Sequence, residues 1–365
     1  MRPFLSICIP TYNRGEIVNR TVRNILKSER EDIEVVASNN CSTDKTEELL
    51  LSIEDERFHY FKNKYNNGTN NLVSVLTYAT GEYLLLISDE DEVVLKNLDS
   101  YIKTLKKERP AVMLGSAAVN RNRYVNNGEI YAKKGYEALK AFGFGNTYMS
   151  GYIFNNDILK IILDGTYGTE INRKFGYAYN FVDLTRRMLQ YGNFMTKAEI
   201  ITTQREHGKR DMGIHFDGGT CAYAPEYKVE NFYDAVNDLC NIKITQHQKY
   251  KLLEQYKMEI VFNRSLSDYL DTYTGKALRQ ANCEGEMRIA AYYRENIARI
   301  KGMKFYTRLY KNIKDCNSYI EKSGVFQEKY AAVKCKYAHD TWNIFVQYYK
   351  KLREFTCAKI MLETK

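Results

Sequence analysis

Short apolar runs and helix-period segments alternate from Leu5 to Leu114, and this alternation constrains the fold more than any other feature of the chain. Leu5 to Ile9, Ile33 to Ala37, Phe58 to Phe61, Leu84 to Ile87 and Ala111 to Leu114 each have the length of a short strand. After the first run, Ile17, Val18, Thr21, Val22, Ile25 and Leu26 recur at helical spacing, and helices are also predicted over Leu72 to Ala79 and Leu95 to Lys107. Strands joined by helical crossovers pair in parallel and are covered on both faces. The predicted architecture is therefore α/β, a doubly wound, mostly parallel sheet. Pro10 ends the first strand in this reading, because it lacks an N–H for the ladder. Ser42, Thr43 or Asp44 offers a cap to a helix that carries Leu49, Leu50 and Ile53.

The fourth run ends unlike the others. Tyr83 to Ser88 leads into Asp89, Glu90, Asp91 and Glu92, four carboxylates in one turn. Crowded like charge is unfavourable unless water or a cation neutralises it. In open α/β sheets ligands gather beyond the carboxyl ends of strands, which is where this block falls. A divalent cation and a solvated acidic loop are the two readings, and the stretch by itself does not separate them.

With 365 residues the chain can form one large domain or two. No run approaches the roughly 18–20 apolar residues of a membrane span. The apolar stretch before Pro10 is too short for a signal peptide, so a cytoplasmic protein is expected. Eight cysteines occur without a Cys-x-x-Cys pair or a zinc-spaced histidine, and neither disulfides nor structural zinc is expected. The net charge of +9 is unevenly spread. After Pro225, 25 Lys and Arg stand against 17 Asp and Glu, and many of the 31 tyrosines fall there too. Such a surface suits an anionic partner.

From Asn120 to Gly145 the pattern weakens, with a hairpin turn predicted at Asn126 to Gly128. A strand is predicted over Met149 to Phe154. Asp157 is read as the cap of a helix from Ile158 to Leu163, and Gly192 as the left-handed cap of a helix over Tyr179 to Tyr191. Beyond Pro225 glycine and proline thin out and helical spacing dominates, as in Tyr250, Leu253, Tyr256, Lys257, Ile260 and Val261. The expected division is 1–225, with halves 1–115 and 116–225, followed by a helical, basic, tyrosine-rich domain over 226–365. That domain is read as about five to seven helices, with a break near Gly324.

Four pieces of the first half stand in a telling order: Ile7 to Arg14, Ser38 to Asp44, Asn71, and Gly81-Glu82-Tyr83 leading to Asp89-Glu90-Asp91. Together they resemble the opening strand and nucleotide loop, the second-strand motif, a nucleotide-contacting position and the Asp-x-Asp element of the family 2 glycosyltransferases. These are inverting enzymes of GT-A fold that use nucleotide-diphosphate sugars. The resemblance implies a GT-A-like sheet and a donor site made of Pro10, Thr11, Tyr12, Arg14, Asn39, Asn71, Ser88 and Asp89. It also implies that Asp91 is a direct metal ligand and that Asp89 makes a ribose or water-mediated contact. The implied cofactor is Mn2+ or Mg2+, hard cations that carboxylate oxygen suits. The family often has Asp where this chain has Asn39; an amide can still donate and accept to a base, so the base contact survives while base preference stays open. The partner implied by the resemblance is a nucleotide-diphosphate sugar, with a UDP-sugar favoured.

The acceptor side departs further from the family. Aligning on Leu184, Arg187 and Gly192 puts Asn180 and Phe181 where a Glu-Asp pair often supplies the general base. Asp183, one turn beyond Asn180 on the same helical face, becomes the candidate base, with an ion-paired or helix-solubilising carboxylate as the alternative. Glu170 and His207 are reserves. The resemblance assigns the basic loop Arg205, His207, Lys209 and Arg210 to the diphosphate, with His207 also a metal candidate.

The implied activity is metal-dependent inverting transfer to a glycan or lipid-linked saccharide acceptor in surface polysaccharide assembly. A sugar nucleotidyltransferase is one alternative, although the loop after the first strand lacks the glycines of that class. A catalytically inactive GT-A-like binding module is another. No nucleic acid partner is expected, since no RNA-binding motif or zinc finger is present. Basic and aromatic residues of the last third, including Tyr292, Tyr293, Arg294, Lys311, Tyr348 and Lys350, motivate a peripheral contact with anionic membrane at the inner face of the plasma membrane. The helical domain also offers a surface for a homo-oligomer.

Overall fold

The alternation is realised as β1 (Leu5–Thr11), α1 (Gly15–Ile25), β2 (Ile33–Asn39), α2 (Thr46–Leu51), β3 (Phe58–Lys62), α3 (Asn71–Tyr78) and β4 (Tyr83–Leu86). Next come a short β5 (Asp91–Val93), α4 (Leu98–Glu108), β6 (Val112–Val119), β7 (Asn122–Tyr124), β8 (Tyr131–Ala132) and α5 (Tyr136–Phe142). β9 (Tyr152–Asn155), α6 (Asn156–Leu163), α7 (Asn180–Met188) and β10 (Phe194–Gln204) complete the sheet region. The structure is a computed structural model that describes residues 2–119, 122–124, 128–143, 148–163, 180–204, 228–259, 303–340 and 343. The chain divides into two compact units, Met1–Met212 and Gly213–Lys365.

One sheet of ten strands runs through the first unit in the order β3-β2-β1-β4-β9-β6-β10-β5, with β7 beside β6 and β8 beside β10. β3, β2, β1 and β4 are parallel, as the periodicity predicts. β9 then runs antiparallel to both β4 and β6, and β10 returns parallel to β6. β4 is thus walled by a strand on each side, and Tyr83, Leu85 and Ile87 share a core cluster with Val18, Val22 and Ile25 of α1 and Leu98, Ile102 and Leu105 of α4. Tyr83 to Ile87 are fully buried, and each large apolar side chain contributes about 1.5–3 kcal/mol by leaving water.

Several local expectations are corrected. Pro10 does not end β1, which continues to Thr11. Cys8 is the last β1 residue with a β4 partner, so the missing N–H of Pro10 falls where that ladder has already stopped. The cap of α6 is Asn155, whose Oδ1 accepts from the Ile158 N–H at 3.1 Å, and Asp157 instead pairs with Arg2 at 3.0 Å. Gly192 is absent from the residues with positive φ. Its role is close packing, since a Cβ there would lie 2.7 Å from the Ala111 Cβ. The cap position of α2 is Lys45, which makes no side-chain cap bond; Asp44, one residue earlier, accepts from the Thr46 N–H at the first turn at 3.0 Å and from the Gly15 N–H at 3.1 Å. Asn126 and Asn127 of the predicted hairpin lie outside the described residues.

The two ends of the parallel strands are built differently. At the amino end, buried Glu34 accepts from Ser6 Oγ at 2.5 Å, the Thr80 N–H at 2.7 Å and the Thr80 hydroxyl at 2.9 Å, and the Gly81 N–H reaches it at 3.2 Å. A Cβ on Gly81 would collide with Ser6 Oγ, so only glycine lets β1 and β4 close over this carboxylate. The carboxyl end carries the polar loops described below.

The second unit, among its described residues, holds α8 (Lys228–Cys240), α9 (Gln246–Tyr256), α10 (Met303–Ser323) and α11 (Tyr330–Lys336). Thr245 and Gln248 form a reciprocal capping box at the start of α9. α10 stops at Gly324, whose φ of 70° is the left-handed conformation that ends a helix, which places the break where the sequence puts it. Tyrosines pack here: Tyr233 stacks on Tyr319 with centroids 3.9 Å apart, and Tyr250, Tyr256 and Tyr330 are buried. Just past α9, Lys257 is buried against Glu254, with its Nζ 2.7 Å from Tyr330 Oη and 3.1 Å from Asn317 Oδ1.

Candidate active site

The carboxyl ends of β1, β2 and β4 bring most of the predicted donor residues into one region. Asp89 is buried, accepting from Thr11 Oγ1 at 2.8 Å and from Arg14 Nη1 at 2.9 Å. The same guanidinium reaches Glu90 at 3.3 Å. The Thr21 hydroxyl on α1 donates to the Asp89 carbonyl at 2.8 Å, fixing the backbone as well. Burial pushes the Asp89 carboxyl up, and the attraction of Arg14 opposes that shift. Thr11 and Arg14, predicted as nucleotide contacts, are thus also the groups that hold Asp89.

Asp91 is fully buried and differently served. Its Oδ2 accepts from Tyr148 Oη at 2.5 Å and from Ser150 Oγ, and Ser150 Oγ itself accepts the Ser88 N–H at 2.8 Å. Its Oδ1 is buried and has no hydrogen-bond partner among the described residues. Burial pushes the Asp91 carboxyl up to about 6 against those two hydroxyl bonds, and the neighbouring Glu90 and Asp89 charges add to the rise. No cation pairs with it among the described residues.

The asparagines form a network that joins this group at the Thr11 carbonyl, which accepts from the Asn40 N–H at 2.9 Å and from Asn71 Nδ2 at 3.3 Å. Asn39 is buried and spends its amide on Tyr60 Oη at 2.9 Å and its carbonyl on the Ser42 N–H at 2.9 Å. Asn71 accepts from Ser38 Oγ at 2.6 Å and from Asn63 at 2.8 Å, and donates to the Ser38 carbonyl at 2.9 Å. Asn40 ties Asn63, Asn66 and the Asn67 N–H together at 2.7–3.1 Å. These bonds brace the loops after β2 and β3. Of the other predicted donor residues, Tyr12 is exposed, and Pro10 and Ser88 are half-buried.

On α7, Asp183 is buried and ion-paired, 3.2 Å from Arg186 and 3.5 Å from Arg187. Phe181 packs edge-on against Tyr152 of β9 with centroids 4.8 Å apart, a core contact. Asn180 donates to the Thr69 carbonyl at 3.3 Å, so the start of α7 sits beside the donor loops. Glu170, Arg205, His207, Lys209 and Arg210 lie outside the described residues.

Tyr148 and Ser150 were not legible as site residues, since they lie 57 and 59 positions from Asp91 and belong to no motif. A hard ion bound to a diphosphate takes one or two protein carboxylates and fills its other positions from phosphate and water. The unpartnered Oδ1 of Asp91 fits that demand. Among the described residues no cluster of three His, Cys, Asp or Glu side chains is arranged to hold a metal without a substrate.

A parallel α/β half with an antiparallel return strand and acidic residues beyond its central strand defines a GT-A-like fold. Residues 6–156 match the family described as glycosyl transferase family 2, and this segment is a domain of that family. Similar proteins include the putative colanic acid biosynthesis glycosyl transferase WcaA of Escherichia coli K12, 26% identical over 134 residues, covering 36% of this chain and 46% of that protein. The GalNAc(5)-diNAcBac-PP-undecaprenol beta-1,3-glucosyltransferase of Campylobacter jejuni is 31% identical over 96 residues, 25% of this chain and 31% of that protein. The UDP-Glc:alpha-D-GlcNAc-diphosphoundecaprenol beta-1,3-glucosyltransferase WfgD of Escherichia coli is 24% identical over 130 residues, 35% of this chain and 49% of that protein. The chain thus spans less than half the length of these relatives. Among solved structures, S. aureus TarS 1-349 in complex with UDP-GlcNAc matches with a TM-score of 0.55 at 15% identity, covering 89% of this chain and 93% of that one, a likeness of fold.

Proposed function

We propose that this protein transfers a glycosyl group, with inversion, from a nucleoside diphosphate sugar to a glycan or lipid-linked saccharide in surface polysaccharide assembly. A UDP-sugar is the favoured donor and Mn2+ or Mg2+ the cofactor. The observation that carries the reading is Asp91, a buried carboxylate at the strand end where ligands gather, with one oxygen unpaired and no cationic partner among the described residues. The relatives support the substrate class: WfgD is named for UDP-glucose and a diphosphoundecaprenol-linked acceptor, and TarS has been solved with UDP-GlcNAc.

When bound, the divalent cation offsets the negative charge that grows on the departing diphosphate. Asp91 would hold it through Oδ1. Asp89, fixed by Arg14 and Thr11, keeps lone pairs for a ribose hydroxyl or a water. The acceptor hydroxyl loses its proton to a base and attacks the anomeric carbon, while the bond to the diphosphate breaks on the opposite face. Asp183 is the candidate base, and Arg205, His207, Lys209 and Arg210 are the candidate clamp. A lipid-linked acceptor places the reaction at the inner face of the plasma membrane. The contact proposed with the membrane is peripheral; no helix among the described residues is long and apolar enough to cross a membrane.

The ion pairs of Asp183 favour a second reading, a fold that binds a nucleotide sugar and does not turn it over. Release of free nucleoside diphosphate from a panel of UDP-, dTDP- and GDP-sugars with Mn2+ and lipid-linked acceptors separates the two. Turnover with one donor supports the transferase. UDP and Mn2+ binding without turnover supports the binding module. Flotation with anionic and neutral liposomes tests the membrane contact, and equal recovery with both overturns it.

A further inference from the structure

We infer that Tyr148 and Ser150 are positioning residues that fix the Asp91 carboxylate so that only Oδ1 is offered to a cation. The inference rests on the proposed metal-dependent transfer and adds residues outside its Asp-x-Asp element. A carboxylate can ligate through one oxygen or both, and on a free side chain it rotates between them. Here Oδ2 accepts two hydroxyls, Tyr148 Oη at 2.5 Å and Ser150 Oγ. Both bonds are charge-assisted, so rotation about the last side-chain torsion would break two strong interactions at once.

Ser150 is itself held. Its Oγ accepts the Ser88 N–H at 2.8 Å, and its own proton therefore points to Asp91. The turn closes from the other side too, with the Asp91 N–H 3.1 Å from the Ser88 carbonyl. The segment just before β9 thus reads both ends of the turn that follows β4, and leaves Oδ1 buried with no partner among the described residues. Hydroxyl donors orient a carboxylate without neutralising it, whereas an arginine there would compete with the cation. Partners of this kind typically alter metal affinity 10–100-fold when removed.

The test is Mn2+ binding to the full chain, read by electron paramagnetic resonance of free Mn2+, with and without UDP. Tyr148→Phe and Ser150→Ala are each expected to weaken Mn2+ about tenfold or more, while Ser150→Thr, which keeps the hydroxyl, stays close to wild type. Far-UV circular dichroism checks that each variant is folded. If Ser150→Ala fails to fold because the Ser88 N–H has lost its acceptor, Tyr148→Phe alone decides. Binding that needs Asp91 yet is unchanged in folded Tyr148→Phe overturns this inference and leaves the proposed function standing. Wild-type protein that binds no Mn2+ in either condition overturns both.

Discussion

Asp91 and Glu254 are both buried carboxylates, one at a strand end of the sheet and one in the helical unit, and their surroundings are opposite. Glu254 is closed: Lys257 supplies the counter-charge, and Tyr330 donates at 2.5 Å. Lys257 is completed in turn by Tyr330 and Asn317. Burial lowers the Lys257 amine, and the attraction and hydrogen bond of the nearby Glu254 oppose that shift. Among the described residues Asp91 has two hydroxyl donors, no cation and an idle oxygen. A buried charge whose partners are complete contributes to a unique packing, while one left open is a place for something the chain itself does not supply.

The contrast can be broken by substitution. Asp91→Ala is expected to lower turnover about a thousandfold, roughly 4 kcal/mol of transition-state stabilisation. Metal-dependent release of nucleoside diphosphate within tenfold of wild type would show that Asp91 is not the open member of the pair. Lys257→Ala should cost about 3–5 kcal/mol in urea unfolding of the full chain, because it strands Glu254 without a counter-charge. The double change Lys257→Met with Glu254→Leu should restore most of that loss; a single variant as stable as wild type would mean that the cluster is not closed.

pH sharpens the same comparison. The Asp91 carboxyl is raised in the folded chain to about 6, so between roughly pH 4 and 6 the folded state keeps a proton that the unfolded chain has lost. This group therefore lowers stability as pH rises through that window, by about 3 kcal/mol in total, and the deficit stays constant above it. Metal-free Asp91→Asn protein should lack that component and be more stable than wild type at pH 7, in a difference between two denaturation series. An unchanged difference across pH 4 to 7 would remove the case for an uncompensated charge. The smallest effect is expected from Asn155→Ala, about 1 kcal/mol through loss of the α6 cap, with Mn2+ binding unmoved.

The parallel half is legible in the chain because each of its signals is local. Leu84 to Ile87 declares a doubly covered strand by composition alone, and Gly324 marks the end of α10 by its freedom to take positive φ. The acidic turn is equally local, which is why Asp89 and Asp91 stand out from neighbouring residues. What separates their surroundings is not local. Arg14 lies 75 residues from Asp89, and Tyr148 and Ser150 arrive on the segment just before β9, the strand inserted antiparallel beside β4. No periodicity encodes that insertion, since it depends on which strand edge is left vacant after the crossovers are made. The cap of α6 fails for a similar reason: Asn155 and Asp157 are both good cap residues, and Arg2, at the other end of the unit's sequence, draws Asp157 away. Asp183 shows the limit of motif alignment, because its position fits a base while its two guanidinium partners fit a brace.

The knot of Glu34, Ser6, Thr80 and Gly81 has a consequence at the far side of the sheet. It anchors β1, β2 and β4 at one pole, so the reach of each strand to the loops at the other pole is measured in residues from a common origin. Along β4 the count from Gly81 to Asp91 acts as a ruler. Exchanging Leu85 for another apolar residue leaves the ruler intact. Deleting it would pull Asp91 back by about 3.3 Å and turn the following side chains to the opposite face of the sheet. In this stretch the number of residues is the inherited quantity, and much of their identity is negotiable.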